Sequence, residues 1–212
     1  MEALLPLEKD ALTPGSRSWR YFVWLRLNQA LHLGETASLF STADLFPNIP
    51  IFIIGAPRSG STLLYQVLVE AFDVGYLSNL HCKFYGGPSL IERWIFPRLS
   101  RPTPDYASEH GRTRGRIAPS ECGEYWYRFF PRQPQAVSSL PEAQQQALRT
   151  AVSRLLAAAD RPFIFKNLMN SLRLQPLAQG IHQVLEEVGA ARRGEQPRNR
   201  GAQSLLLGFG QG

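Results

Sequence analysis

Residues Gly55 to Thr62 read Gly-Ala-Pro-Arg-Ser-Gly-Ser-Thr, and these types at this spacing assemble a cradle for an oxyanion. Gly55 and Gly60 have four residues between them, and neither carries a Cβ, so the backbone can close on a ligand and adopt positive φ. Arg58 supplies a planar guanidinium that grips an anion through two parallel N–H groups, while Ser59, Ser61 and Thr62 add hydroxyl donors. Pro57 stiffens the turn between them.

A cradle of this kind needs a strand before it and a helix after it. The run Ile49-Pro50-Ile51-Phe52-Ile53-Ile54 is apolar without alternation, which predicts a central strand of a parallel sheet covered on both faces. Residues 60–72 follow with helical spacing, so the loop ends on a helix N-terminus, where unpaired N–H groups and the positive end of the helix dipole favour an anion without a metal. The Gly-x4-Gly spacing is that of a nucleotide-binding P-loop, with Ser61 standing where that loop has its lysine. Without the lysine, a Mg²⁺-dependent kinase or NTPase is the weaker expectation, and a smaller anion than a triphosphate is the better fit.

The segment Ile51 to Leu64 resembles the 5′-phosphosulfate-binding loop of sulfotransferases, in the P-R-S-G-S-T-L-L form of bacterial and Golgi-type members. Weaker likeness continues through residues 118–131 and through Arg161-Pro162-Phe163-Ile164-Phe165-Lys166-Asn167. The resemblance implies an α/β, P-loop-like three-layer fold with a mostly parallel sheet. It also implies 3′-phosphoadenosine 5′-phosphosulfate (PAPS) as sulfuryl donor, no metal, and a small-molecule, carbohydrate or lipid acceptor with a hydroxyl or amine. Gly55, Pro57, Arg58, Ser59, Gly60, Ser61 and Thr62 would hold the donor's 5′ end.

Sulfuryl transfer also asks for a base to take the acceptor's proton and a cation to support the departing phosphate. Lys166, at the end of a second apolar strand over residues 163–165, is the candidate cation at the sheet edge where ligands of open α/β folds bind. Where related enzymes place a glutamate after the first helix, this chain has Asn79, so the base is sought among His81, whose ordinary pKa lies near 6.5, and Glu121. Glu124 competes beside its aromatic neighbours, and Glu109 and His110 rank below these.

The C-terminal side departs from the family pattern. After a helix begun over residues 171–179, no apolar strand ending in Arg-Asp-Pro follows to grip a 3′-phosphate, and residues from about 190 onward are rich in Arg, Gly and Gln. The expectation is a fold incomplete on that side, a truncated member of its family. An anion-binding fragment without turnover is the alternative. Three segments result: 1–48, a helical stretch packing on the core; 49–179, a partial sulfotransferase-like domain; and 180–212, a divergent, disordered tail.

Composition sets the remaining bounds. A chain of 212 residues, 44% hydrophobic, suits one domain with a sizeable core. Its net charge of +6 comes almost wholly from arginine, since Lys9, Lys83 and Lys166 are the only lysines. No nucleic-acid module accompanies that charge, so no polynucleotide partner is expected. Cys82 and Cys122 lack metal-ligand spacing and fit a reducing compartment. No run approaches the roughly twenty apolar residues that cross a bilayer, so the expectation is a cytoplasmic protein with no transmembrane segment. Residues 18–31 have helical apolar spacing that predicts an amphipathic helix, and 141–159 predict a second, capped by Asp160. Residues 75–116, rich in Gly, Pro and Ser with one helix at 89–96, read as an acceptor-binding lid.

Overall fold

The computed structural model describes residues 19–37, 49–100, 106 and 113–182. Its centre is a parallel sheet of β1 (Pro50–Ile53), β2 (Gly75–Tyr76) and β3 (Phe163–Lys166), in the order β1-β3-β2. β1 runs in register with β3 from Pro50 opposite Phe163 to Ile53 opposite Lys166. The expected α/β fold with an all-parallel sheet is therefore present, but β3 and not β1 is its middle strand. All four residues of β3 are buried, as a strand covered on both faces must be, whereas Ile51 of β1 is exposed.

Two helices cover the two faces. α2 (Ser61–Ala71) packs Tyr65 and Val69 on Ile53 and Ile164. The Tyr65 hydroxyl lies 3.2 Å from the Leu77 carbonyl and 3.3 Å from that of Ile164, tying the helix to the sheet. Burial pushes that phenol's pKa well above its ordinary value, so it remains a donor. On the opposite face α6 (Glu142–Ala159) sets Leu148, Val152 and Leu155 against Phe163 and Phe165, with Tyr125 and Trp126 of α5 (Gly123–Trp126) completing the larger core. Asp160 closes α6 at φ 51°, the left-handed cap that its short polar side chain tolerates. After β3 comes a 3₁₀ turn, Leu168–Leu172, and then a helix, α7, over residues 174–182, which rests on the same face as α6 through Leu177.

The stretch from Gly75, expected to be an acceptor-binding lid, contributes a strand to the sheet. Gly75-Tyr76 pairs with β3, and a β-carbon on Gly75 would sit 2.4 Å from Cδ2 of Phe163, so only glycine lets the strands meet here. α3 (Asn79–Lys83) and α4 (Pro88–Leu90) follow, and the single helix expected at 89–96 is instead α4, a π-helical turn Ile91–Ile95 and a 3₁₀ turn Phe96–Arg98. Pro97, within that last turn, cannot donate the hydrogen bond a regular helix needs.

The N-terminal helix α1 (Trp19–Ala37) docks by a polar face, contrary to the apolar one its spacing suggests. Its buried residues are Asn28 and Glu35. Asn28 accepts from the Gly86 N–H at 2.9 Å and Glu35 accepts from the Ser89 N–H and hydroxyl, while Glu35 also pairs with Arg128 at 2.9 Å. Backbone donors of the 83–90 segment that have no helical partner are satisfied this way. Trp19, Phe22, Val23 and Leu33 point outward.

Candidate functional site

The loop leaves β1 at Ile53 and enters α2 at Ser61, with Gly60 at the N-cap in the left-handed region, φ 77°. Arg58 also has a left-handed backbone, φ 64°, which costs a non-glycine residue about 1 kcal/mol or more. A turn closed by the Ser59 N–H on the Ala56 carbonyl at 3.3 Å produces this shape. Arg58 is exposed, Ser61 is buried and Thr62 is half-buried. A β-carbon on Gly55 would come within 3.0 Å of Ser59 Oγ, so the turn is as tight as its first glycine allows.

β3 delivers Lys166 to the same place. Its ammonium, 1% exposed, donates to Thr62 Oγ1 at 3.0 Å and to a carboxylate oxygen of Glu121. The other Glu121 oxygen accepts the Leu168 N–H at 3.3 Å, and the Asn167 amide holds the Glu121 carbonyl at 3.1 Å. Asn167 also caps the 3₁₀ turn through the Met169 N–H, and Ser171 in that turn donates to the Gly55 carbonyl at 3.1 Å. Three chain segments, 55–62, 121 and 166–171, are thereby bonded into one cluster at the carboxyl ends of the strands, the position where open α/β sheets bind ligands.

The residues proposed from sequence thus separate. Loop residues 55–62, Glu121 and Lys166 converge. His81 is fully buried in α3, where its Nδ1 accepts from the Ser78 N–H at 3.1 Å and lies 2.8 Å from the Ser78 hydroxyl in a reciprocal helix cap. Its Nε2 faces Glu92 Oε2 at 3.3 Å, and Glu92 is in turn held by Arg161 at 2.7 Å. With Nδ1 accepting, Nε2 is the donor nitrogen; it lies near Glu92 Oε2 without making a hydrogen bond to it. Asn79 ties Thr113 and Gly115 carbonyls together, and Glu124 pairs with Arg132 at 2.8 Å. Glu109 and His110 lie outside the described residues.

Asn167 and Ser171 were not read from the sequence. The only signal for either was its position just beyond a strand-end lysine. Among the described residues no group of histidine, cysteine or carboxylate side chains is placed to hold a metal ion, and no helix is long and apolar enough to cross a membrane.

A strand, a glycine-bounded loop with an internal arginine and a strand-end lysine meeting it from the neighbouring strand make a P-loop-like arrangement on an α/β sheet. The family model described as the sulfotransferase family matches residues 50–199, well over half the chain. The chain belongs to the sulfotransferase family. Comparisons with curated proteins and with solved structures gave no match.

Proposed function

We propose that the chain binds the 5′-phosphosulfate end of PAPS on residues 55–62 and transfers its sulfuryl group to an acceptor hydroxyl or amine. The observation that carries this reading is Lys166 bonded to Thr62 at the first turn of α2, which puts a buried ammonium beside the loop N–H groups. Loop amides, Arg58, Ser59, Ser61 and Thr62 surround the donor's phosphate oxygens, and Lys166 stabilises charge on the phosphate as it departs. In the transfer, the acceptor oxygen or nitrogen forms a bond to sulfur as the bond from sulfur to the bridging oxygen breaks.

Glu121 is the proposed proton acceptor. Its carboxylate already lies in the cluster, 26% exposed and so open to a substrate. His81 is assigned a positioning role instead, because Ser78 occupies its Nδ1 and Glu92 faces its Nε2. The donor's 5′ end and the acceptor need no metal in this scheme. The segments 1–48 and 180–212 are read as additions to the domain that carries this site.

A second reading, anion binding without turnover, is supported by one feature: among the described residues β1 has a strand on one side only, and the resemblance places the 3′-phosphate contacts beyond β3. Calorimetry with PAPS and with adenosine 3′,5′-bisphosphate separates the two. The donor-site reading expects saturable binding of both and at least a tenfold loss for Arg58→Ala, as removal of a charge-assisted contact gives. Absence of binding by the native chain, or unaltered binding by the variant, sinks it. Binding without sulfuryl transfer to any of a panel of alcohols, sugars and amines selects the second reading.

A further inference from the structure

α1 is amphipathic the wrong way round for a helix that packs on a core. Its buried residues are Asn28 and Glu35. Trp19 precedes Asn28 by roughly two and a half turns, so the two lie on opposite sides of the helix axis. Trp19, Phe22, Val23, Leu27, Ala30 and Leu33 recur at the three- and four-residue spacing of a single face, and all six are exposed. The bulky members of the set are each between 43% and 70% exposed.

The charge on this side of α1 has one sign. Arg20 and Arg26 are exposed and no carboxylate is, because the helix's only acid, Glu35, turns inward onto Ser89 and Arg128. The Arg20 guanidinium lies 5.9 Å from the centre of the Trp19 ring. Arg26 stands within the apolar stripe, between Val23 and Ala30. Its methylene stem can lie along apolar surface while the guanidinium reaches outward to an oxyanion. Pairing this face with the same face of a second copy would bury two such cations with no acid on either side to meet them, a strongly unfavourable arrangement.

We propose that α1 seats on an anionic lipid bilayer, with Trp19, Phe22, Val23, Leu27 and Leu33 entering the boundary between headgroups and acyl chains and Arg20 and Arg26 meeting lipid phosphates and carboxylates. Helices that lie in such an interface have this composition, with Trp, Phe and Leu turned to the lipid and arginine reaching the headgroups. Trp in particular suits a boundary, since its ring is apolar and its N–H is not. The way α1 is held fixes its orientation. Trp24 Nε1 donates to the Lys83 carbonyl at 2.7 Å, Asn28 accepts from Gly86 and Glu35 from Ser89, so the helix is tied along its length to residues 83–89 and lies flat on the domain. Its outward face is therefore presented broadside. The chain's net charge of +6 draws the whole molecule toward the same surface. None of this depends on PAPS binding.

Cosedimentation of the full-length chain with phosphatidylcholine vesicles, with and without about one third phosphatidylserine, tests the proposal. Binding to the anionic vesicles is expected to exceed binding to the neutral ones. Phe22→Ser combined with Leu33→Ser should weaken it at least tenfold, and Arg26→Gln about fivefold, with Tm unchanged because all three residues are exposed. The vesicles should also shift the tryptophan emission to the blue, by an amount that Trp19→Phe reduces. A native chain that binds neither kind of vesicle overturns the proposal, as it would if another segment of the chain covered this face. Binding that salt abolishes but the Phe22/Leu33 variant leaves intact overturns it in favour of charge alone. Self-association without lipid that the same variant abolishes overturns it in favour of a second copy of the chain. Should that variant fail to fold, an emission shift that Trp19→Phe leaves unaltered overturns the proposal by itself.

Discussion

Lys166→Met separates the two jobs of the lysine at the end of β3. The ammonium is 1% exposed and is shared between Thr62 Oγ1, at 3.0 Å, and Glu121. Removing one member of a fully buried ion pair costs about 3–5 kcal/mol. Glu121 reaches solvent and retains the Leu168 N–H, so about 2 kcal/mol is the expected loss here, or a Tm roughly 4–8 °C lower for a chain of this size. If the same ammonium also contacts the 5′-phosphate, its removal takes away a charge-assisted hydrogen bond of about 1.5–3 kcal/mol, and the Kd for adenosine 3′,5′-bisphosphate rises roughly 10- to 150-fold. Pairing the change with Glu121→Gln removes the stranded carboxylate and should restore part of the Tm without restoring affinity. Thermal scanning and calorimetry on the native chain and the two variants give both readouts. A fall in Tm with affinity unchanged would refute a ligand role for Lys166 and leave it as a structural tie between β3, α2 and residue 121.

Three other outcomes follow from particular residues. Arg58→Gly relieves a left-handed non-glycine backbone and should raise stability by about 1 kcal/mol while weakening bisphosphate binding at least tenfold, opposite signs that denaturant melts and calorimetry resolve together. Gly75→Ala drives a methyl group onto the Phe163 ring and should cost about 1–3 kcal/mol, read as a lower denaturation midpoint. His32 Nδ1 accepts from the Arg128 guanidinium at 3.0 Å, and its pKa is held below 6.5 first by burial and then by the Arg128 charge. The unfolded chain therefore takes up a proton near pH 6.5 that the folded chain resists, so stability falls as pH drops from 7.5 to 5.5, and His32→Gln should flatten that dependence in thermal melts.

What the sequence made legible was local. The strand, loop and helix of residues 49–71 and the capped helix before Asp160 each announce themselves by apolar runs, glycine positions and turn residues close together in the chain. The convergence of Lys166 on Thr62, 104 residues away, rested on the expectation that both occupy strand ends at one sheet edge, and that much could be anticipated. The order of strands could not. Gly75-Tyr76 is a two-residue strand whose pairing depends on Phe163 filling the space above a glycine, a fact of packing with no periodic signature. The docking of α1 was equally hidden, because Asn28 and Glu35 look like solvent-facing residues until the unpaired N–H groups of Gly86 and Ser89 come up against them. The partnership of Cys82 and Cys122 belongs to the same class. Forty residues apart in the chain, their thiols are hydrogen-bonded, and burial followed by that contact pushes the Cys122 pKa well up.

The alignment of Ile53 with Lys166 constrains how such a site can vary. The loop departs from β1 at the level at which β3 presents its lysine, and successive side chains on a strand face opposite ways. Losing or gaining one residue anywhere in the short turn between Asp160 and Phe163 would, if the strand slid to compensate, rotate the ammonium to the other face of the sheet and leave Thr62 and Glu121 without it. Changes in length near the site are therefore all-or-nothing, whereas changes of side chain at a fixed length are graded. Tuning of this cluster is open to substitution and closed to insertion.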